Sequence, residues 1–144
     1  MLRKGTLSFE KWCIENNKNE YLELWDYELN EKKPDEVSFS VSNKYYFKCE
    51  KKLHESYLYS IRSLTVDNSR GPHCPICDSL YQWCIDNNRE DIINSWDYDK
   101  NEIDIKYMSK SSGKKAWFKF EYYSYYYKID YITNKNIIIH LAII

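Results

Sequence analysis

Four side chains that could ligate a metal fall into two short pairs. Cys49 is followed by His54 after four residues, and Cys74 is followed by Cys77 in the segment Cys-Pro-Ile-Cys. Two thiolates separated by two residues can wrap one tetrahedral ion, and three thiolates with one imidazole suit zinc. Four protein ligands close the coordination sphere. The sequence therefore predicts one structural Zn²⁺ held by Cys49, His54, Cys74 and Cys77, with His73 as the other candidate for the fourth ligand.

A redox role is the alternative for the close cysteine pair, because thioredoxin-type sites have the same spacing. Such a pair normally opens a helix after a buried strand, whereas residues 67–72 are polar and turn-like. An odd total of five cysteines also argues against a disulfide framework. Cys13 and Cys84 lie beside tryptophans on amphipathic helix faces, where we expect buried and unreactive thiols.

The elements that must position these ligands repeat along the chain. A shift of 71 residues aligns residues 8–50 with 79–121 without a gap, and 17 of the 43 aligned positions are identical. Trp25-Asp26-Tyr27, for example, returns as Trp96-Asp97-Tyr98. A repeat of this length indicates two similar structural units. We expect an α+β fold with two tandem units, at residues 1–77 and 78–144, each made of short helices and a β-hairpin.

Local patterns place the elements of each unit. Ser8 can cap a helix whose residues Phe9, Trp12 and Cys13 share one face. A second helix is expected at about residues 19–25, with Tyr21, Leu22 and Trp25 buried, before an irregular polar stretch. The remaining predicted elements are strands at 45–49 and 56–61, a helix through Trp83 and Cys84, and strands near 115–120, 122–132 and 137–143.

The second unit is predicted to lack the metal. At the 71-residue shift the counterpart of Cys49 is Phe120, and that of His54 is Tyr125 if no gap intervenes. A small unit without zinc needs another source of stability. We expect an aromatic and aliphatic core there, built from Phe118, Phe120, the tyrosines at 122–127 and the isoleucines near residue 140.

The order of these motifs resembles a known family, the treble-clef or zinc-ribbon repeats of bacterial and phage proteins. The resemblance rests on a Trp-Asp-Tyr segment ending in Asn, a Ser-x-Lys strand ending in Cys, a His knuckle and a final Cys-Pro-x-Cys. In this chain these are Trp25–Asn30, Ser42–Cys49, His54 and Cys74–Cys77. The resemblance covers the first unit and about two thirds of the second. It implies treble-clef-like units and, because such domains often accompany nucleases, binding of nucleic acid.

Lysines interleaved with aromatic residues near the predicted strands support the same function. Lysines neutralise phosphates, and aromatic rings stack on bases. The alternative is that the lysines only form the solvent-exposed face of a strand while the tyrosines pack beneath it. A net charge of −1 also weakens the case for nucleic-acid binding. The candidate binding residues are Lys44, Lys48, Lys51, Lys52, Arg62, Lys114, Lys115, Trp117 and Lys119.

A protein partner is the competing hypothesis, because tyrosine is enriched at interfaces and this chain has 15 of them. Such a module could be a phage or mobile-element inhibitor of a nucleic-acid enzyme, for example a CRISPR nuclease. An enzyme is not expected, since three glycines form no phosphate loop and no catalytic His motif occurs. No small-molecule substrate is expected either.

The chain also lacks signals for export or membrane insertion. No basic start followed by an apolar stretch and a cleavage site occurs at the N-terminus. The longest apolar run, residues 137–144, is far shorter than the roughly 20 residues that span a bilayer. We expect a cytoplasmic protein without a membrane partner.

Overall fold

Short, firmly capped helices begin the chain in the computed structural model, which describes residues 2–120 and 123–129. Helix α1 (Phe9–Glu15) starts at Ser8, whose Oγ accepts a hydrogen bond from the Lys11 N–H at 3.2 Å. It ends at Asn16, whose side-chain amide donates to the Trp12 carbonyl at 2.9 Å. Asn17 then adopts a φ of 54°, a left-handed conformation that terminates the helix.

A β-hairpin completes the first unit after a second helix. Helix α2 spans Asn19–Leu24, and a 3-10 turn follows at Pro34–Glu36. Strands β1 (Lys44–Phe47) and β2 (Tyr57–Ser60) pair antiparallel. Helix α3 (Ile61–Thr65) follows β2 directly.

The core of the first unit is aromatic. Phe9, Trp25 and Phe47 are fully buried. The Trp25 ring lies 5.9 Å from that of Phe9 and 5.4 Å from that of Phe47, centroid to centroid, in tilted and edge-on arrangements. Aromatic pairs favour such geometries over a face-to-face sandwich. Helix α3 adds Ile61 and Leu64 to the buried set.

The second unit repeats the order of two helices, a 3-10 turn and two strands that precedes α3 in the first. Its elements are α4 (Leu80–Asp86), α5 (Glu90–Ser95), a 3-10 turn (Ile105–Tyr107), β3 (Lys115–Phe120) and β4 (Tyr123–Lys128). Ser79 Oγ accepts from the Gln82 N–H at 3.1 Å, as Ser8 does for Lys11. The contacts divide the chain into two compact units, Met1–Cys74 and Pro75–Ile144.

The two hairpins differ in length. The Ile61 N–H donates to the Asn43 carbonyl, and the Ile129 N–H donates to the Lys114 carbonyl. Asn43 and Lys114 are 71 residues apart, whereas the two isoleucines are 68 apart, so the second hairpin connection is three residues shorter. The ungapped assignment of Tyr125 to His54 is therefore wrong. Tyr125 lies opposite Phe118 in β3, as Tyr57 lies opposite Phe47 in β1.

An apolar cluster lies inside the second unit. It centres on Trp96 and Phe118, whose rings are 5.4 Å apart and nearly perpendicular. Three half-buried side chains of α4 and α5 pack against it: Tyr81, Trp83 and Ile93. The other buried members of this cluster are Leu80, Cys84, Ile92, Ile105, Met108, Ala116 and Ile129.

Several sequence expectations need correction. Leu22, expected to be buried, is half-buried. The 3-10 turn at Pro34–Glu36 and helix α3 were not expected, since three and five residues are too short to show a periodicity. The predicted strand at 137–143 lies outside the described residues. Within those residues, no helix has the length and apolarity needed to cross a bilayer.

Candidate metal centre

Tight turns bring two ligands together just after strand β1. The Lys48 N–H donates to the Leu24 carbonyl at 2.6 Å, which fixes the end of the strand against α2. The Lys52 N–H then donates to the Cys49 carbonyl at 2.9 Å, and Lys52 has a φ of 56°. This turn reverses the chain, so that His54 comes back beside Cys49.

The second ligand pair is held against the first through Glu50. The Cys74 N–H donates to the two carboxylate oxygens of Glu50 at 3.1 and 3.3 Å. After the Cys74–Cys77 segment, the Ser79 N–H donates to the Ile76 carbonyl at 3.1 Å and helix α4 begins. Both thiols of the pair therefore project from a short, hydrogen-bonded loop.

The four ligand atoms form a cluster of the size that zinc requires. The donor atoms of Cys49, His54, Cys74 and Cys77 all lie within 4.8 Å of one another. His54 Nδ1 lies 3.7 Å from Cys49 Sγ and 3.5 Å from Cys74 Sγ. Zn–S and Zn–N bonds at a tetrahedral angle place sulfur and nitrogen about 3.6 Å apart. These residues fit one tetrahedral Zn²⁺, and three sulfurs with one nitrogen match its preferences.

His54 is the histidine of this cluster. His73 Nδ1 lies 3.2 Å from the Gly71 carbonyl and 3.5 Å from the Tyr59 hydroxyl, and the His73 side chain is exposed. Its ring packs edge-on against Tyr59. The alternative that His73 supplies the fourth ligand is therefore wrong.

The surroundings of the cluster are dry. Cys49, Cys74 and Cys77 are only 3%, 1% and 6% exposed. Tyr57, at the start of β2, is buried, and its hydroxyl has no hydrogen-bond partner among the described residues. Burial, and then the nearby charges of Glu50 and the cysteines, raise the pKa of this phenol. Such a site excludes water and holds its ion structurally.

Comparison with known proteins agrees with this geometry. A family model described as a probable treble clef zinc finger domain matches residues 21–80. All four ligands lie within that range. Residues 21–80 are therefore similar to a treble-clef zinc finger domain. The expected single structural zinc is confirmed by this match and by the ligand cluster. No curated protein and no solved structure matches the chain.

The repeated Trp-Asp-Tyr segment braces the strand that precedes the first ligand, Cys49. Asp26 Oδ1 accepts hydrogen bonds from the Glu28 and Leu29 N–H groups, both at 3.0 Å, which closes a turn. Its other oxygen accepts from the Ser56 hydroxyl, two residues after His54. These hydrogen bonds, led by that of Ser56, lower the pKa of the Asp26 carboxyl.

An asparagine then clamps the strand backbone. Asn30 Oδ1 accepts from the Tyr46 N–H at 2.9 Å, and its Nδ2 donates to the Tyr46 carbonyl at 2.8 Å. Asn101 makes the same two bonds to Trp117, at 2.9 and 2.7 Å. Asp97 closes the corresponding turn by accepting from the Asp99 N–H at 3.1 Å. The repeated residues thus do structural work in both units.

Two buried cysteines lie outside the metal-ligand set. Cys13 and Cys84 are fully buried on α1 and α4. Burial raises the pKa of each thiol to about 12, so both stay protonated at neutral pH. This agrees with the expectation of small hydrophobic residues at these positions.

The predicted binding residues fall into separate groups. Lys44 and Lys48 are exposed at alternate positions about half-buried Tyr46. Lys51 and Lys52 lie in the turn after Cys49, and Arg62 lies on α3, where its N–H donates to the Val41 carbonyl at 2.9 Å.

In the second unit the corresponding strand has the same pattern. Lys115 and Lys119 are exposed on either side of half-buried Trp117, and exposed Lys114 precedes the strand. The Nζ of Lys119 lies 3.5 Å from an Asp99 carboxylate oxygen, in an exposed ion pair. An exposed pair of this kind holds its lysine only weakly.

Two residues beside Trp117 were missed from the sequence. Tyr126 stacks on Trp117 at 4.7 Å between ring centroids, with 26° between the planes. Lys100 Nζ lies 4.6 Å from the centroid of the Trp117 ring. The pairing of Trp117 with Tyr126 depends on the shortened hairpin, which no local motif signals. Lys100 could have been found from the sequence, because it directly precedes Asn101, which the 71-residue shift aligns with the identical Asn30.

Proposed function

We propose that the chain is a non-catalytic, zinc-stabilised module that binds nucleic acid. The observation that carries the proposal is the outer face of β1 and β3. A lysine, an aromatic residue and a lysine alternate along each face. These are Lys44, Tyr46 and, directly after β1, Lys48 in the first unit, and Lys115, Trp117 and Lys119 of β3 in the second. Lysines beside accessible rings are what phosphates and unstacked bases require.

The local charge of these faces supports the proposal better than the total charge does. The chain has 21 basic and 22 acidic residues, so long-range attraction to a polyanion is weak. Contact with nucleic acid must then come from the lysines on the two strands. Four lysines neutralising four phosphates of a single strand give a slope of about −3 in log K against log salt concentration.

A structural rather than catalytic role for the zinc follows from its ligand set. Four protein ligands leave no open position for water or substrate. The two remaining cysteines are protonated at neutral pH. We therefore propose that the ion only stabilises the fold that presents the strand face.

We further propose that the two units arose by tandem duplication and that the second is a degenerate, metal-free copy. Matching helix caps, turn aspartates and asparagine clamps recur at the 71-residue shift. The second unit has Phe120 at the position of Cys49. Its apolar cluster around Phe118 would replace the stabilisation that zinc supplies in the first unit.

Fluorescence anisotropy with labelled DNA and RNA, single- and double-stranded, over a salt series tests the proposal. We expect micromolar binding that weakens with salt at the slope given above. The double variant Lys44→Ala/Lys115→Ala should reduce the slope by about 1.4. Lys11→Ala is the matched control, because Lys11 is exposed on α1 and is paired only with Glu15. Absence of binding by the wild-type protein at low salt would overturn the proposal.

A protein partner is the second candidate, favoured by exposed tyrosines. Tyr27 and Tyr98 occupy corresponding positions and are 54% and 58% exposed. Neither lies on the lysine-bearing strands, and tyrosine commonly anchors protein interfaces. Wild-type protein that binds none of the four nucleic-acid probes would favour this function.

A further inference from the structure

Each unit has a cleft between the loop that follows its aspartate turn and the first strand of its hairpin. The first cleft, of about 310 Å³, is lined by Leu29, Asn30, Lys44 and Tyr46, among others. The second, of about 340 Å³, is lined by the counterparts Lys100, Asn101, Lys115 and Trp117, with Tyr126 in addition. Because the two clefts use the same backbone positions, their side chains can be compared directly.

The second cleft combines an aromatic stack with positive charge. Tyr126 stacks on Trp117 at 4.7 Å between ring centroids, and Lys100 Nζ lies 4.6 Å from the centroid of the Trp117 ring. Lys115 Nζ lies 5.4 Å from the Tyr126 ring centroid. Tyr126 remains 50% exposed. An aromatic surface with two ammonium groups close to its rings is therefore accessible to solvent.

The first cleft differs from the second at the positions of Lys100 and Tyr126. Leu29 occupies the position of Lys100. Leu58 lies opposite Tyr46 in the hairpin, as Tyr126 lies opposite Trp117. Both leucines are exposed, at 55% and 49%. The first cleft is lined by Tyr45 and Tyr46, but it has a leucine where the second has Lys100, and Leu58 stands where the second has Tyr126.

The second cleft is also rigid at its base. Asn101 bonds to both the N–H and the carbonyl of Trp117, so the backbone beneath the indole is fixed. Glu102 is the one acidic residue among those lining the cleft, against the three lysines Lys100, Lys114 and Lys115. A fixed ring needs little ordering when a ligand stacks on it, and the surplus of lysines favours an anionic ligand.

We infer that this second cleft is a stacking subsite for a base of single-stranded nucleic acid, a step that rests on the proposed function. A base stacks on the exposed aromatic surface of Tyr126 and Trp117. Lys100 and Lys115 neutralise the phosphates on either side of that base. Bases within a duplex are already stacked on each other, so the subsite selects single strands.

The test exploits the matched positions of the two units. Tyr126→Leu gives the second cleft the residue that the first has at Leu58, and Leu58→Ala is the control. Anisotropy with a single-stranded oligonucleotide should show a loss of affinity of about 5- to 100-fold for Tyr126→Leu. Leu58→Ala should bind within about twofold of wild type. Circular dichroism verifies that both variants fold, and a zinc content of one per chain verifies that the first unit is intact in each.

The outcomes separate this inference from the proposed function. Loss of affinity in Tyr126→Leu alone, together with a smaller preference for single strands over duplex, supports the subsite. Unchanged affinity in Tyr126→Leu, with wild-type protein still binding in a salt-dependent manner, overturns the subsite and leaves the proposed function standing. No binding by wild-type protein overturns both.

Discussion

Removing the zinc should unfold the first unit and leave the second folded. The sharpest perturbation is Cys74→Ser, because the Cys74 thiol is 1% exposed and lies 3.5 Å from His54 Nδ1 within the cluster. Zinc contributes about 10–16 kcal/mol to the folding of small finger domains at neutral pH. A unit of the size of Met1–Cys74 has a net stability of about 4–11 kcal/mol. The lost binding energy therefore equals or exceeds the whole stability of the unit.

Hydrogen exchange read by mass spectrometry resolves the two units. In Cys74→Ser we expect loss of protection across residues 44–61 and retained protection across 80–118, with native mass spectrometry showing no bound zinc. Cys13→Ala is the matched control, since Cys13 is buried in the same unit but is not a ligand. It should keep one zinc and cost about 1–2 kcal/mol. Native protection at 44–61 in zinc-free Cys74→Ser would refute the reasoning.

Three further predictions concern the supporting structure. Gly71→Ala should destabilise the protein by about 2–3 kcal/mol in urea denaturation, because Gly71 has a φ of 81° and an added Cβ would lie 2.8 Å from the Tyr21 ring. Gly5→Ala is the control. Gly5 has a φ of 90° but open space around it, so this variant should show only the backbone strain, about 1 kcal/mol. Asn101→Ala should cost about 2–3 kcal/mol in the same assay, because two hydrogen bonds to the strand are lost, and a cost below 0.5 kcal/mol would contradict the clamp. The pKa of the Asp26 carboxyl is lowered in the folded state, so its ionised form stabilises the fold above about pH 4 and this contribution disappears as pH falls further. The difference in unfolding free energy between wild type and Asp26→Asn should therefore shrink below about pH 4. A difference that stays constant with pH would contradict this prediction.

Local motifs made the metal site predictable. The ligand pairs are close in sequence, so Cys74 and Cys77 could be recognised without knowing the fold. The caps of α1 were equally local, since Ser8 and Asn16 act within one turn of the helix. The choice of His54 over His73 was not fixed by spacing, because both histidines lie close to a cysteine in sequence.

Non-local pairing limited what could be predicted of the binding surface. Strand register depends on the length of the hairpin connection. The identities of the repeat end at Glu50 and Glu121, so they could not show that the second connection is three residues shorter. The neighbour of Trp117 was therefore unknown, although the indole itself was a candidate. Helix α3 was also missed, because the burial of Ile61 and Leu64 depends on tertiary contacts and not on a pattern within five residues.

Binding of nucleic acid at the second cleft is the central claim, and an NMR titration tests it most directly. Uniformly ¹⁵N-labelled, zinc-loaded protein is titrated with a single-stranded oligonucleotide, and the five indole N–H signals are followed. The account predicts that the Trp117 indole and the backbone amides of residues 100–102 and 114–117 shift most, while the buried indoles of Trp25 and Trp96 stay in place. A titration in which the signals of the second cleft do not move, or in which the largest shifts fall on Tyr27 and Tyr98, would contradict it.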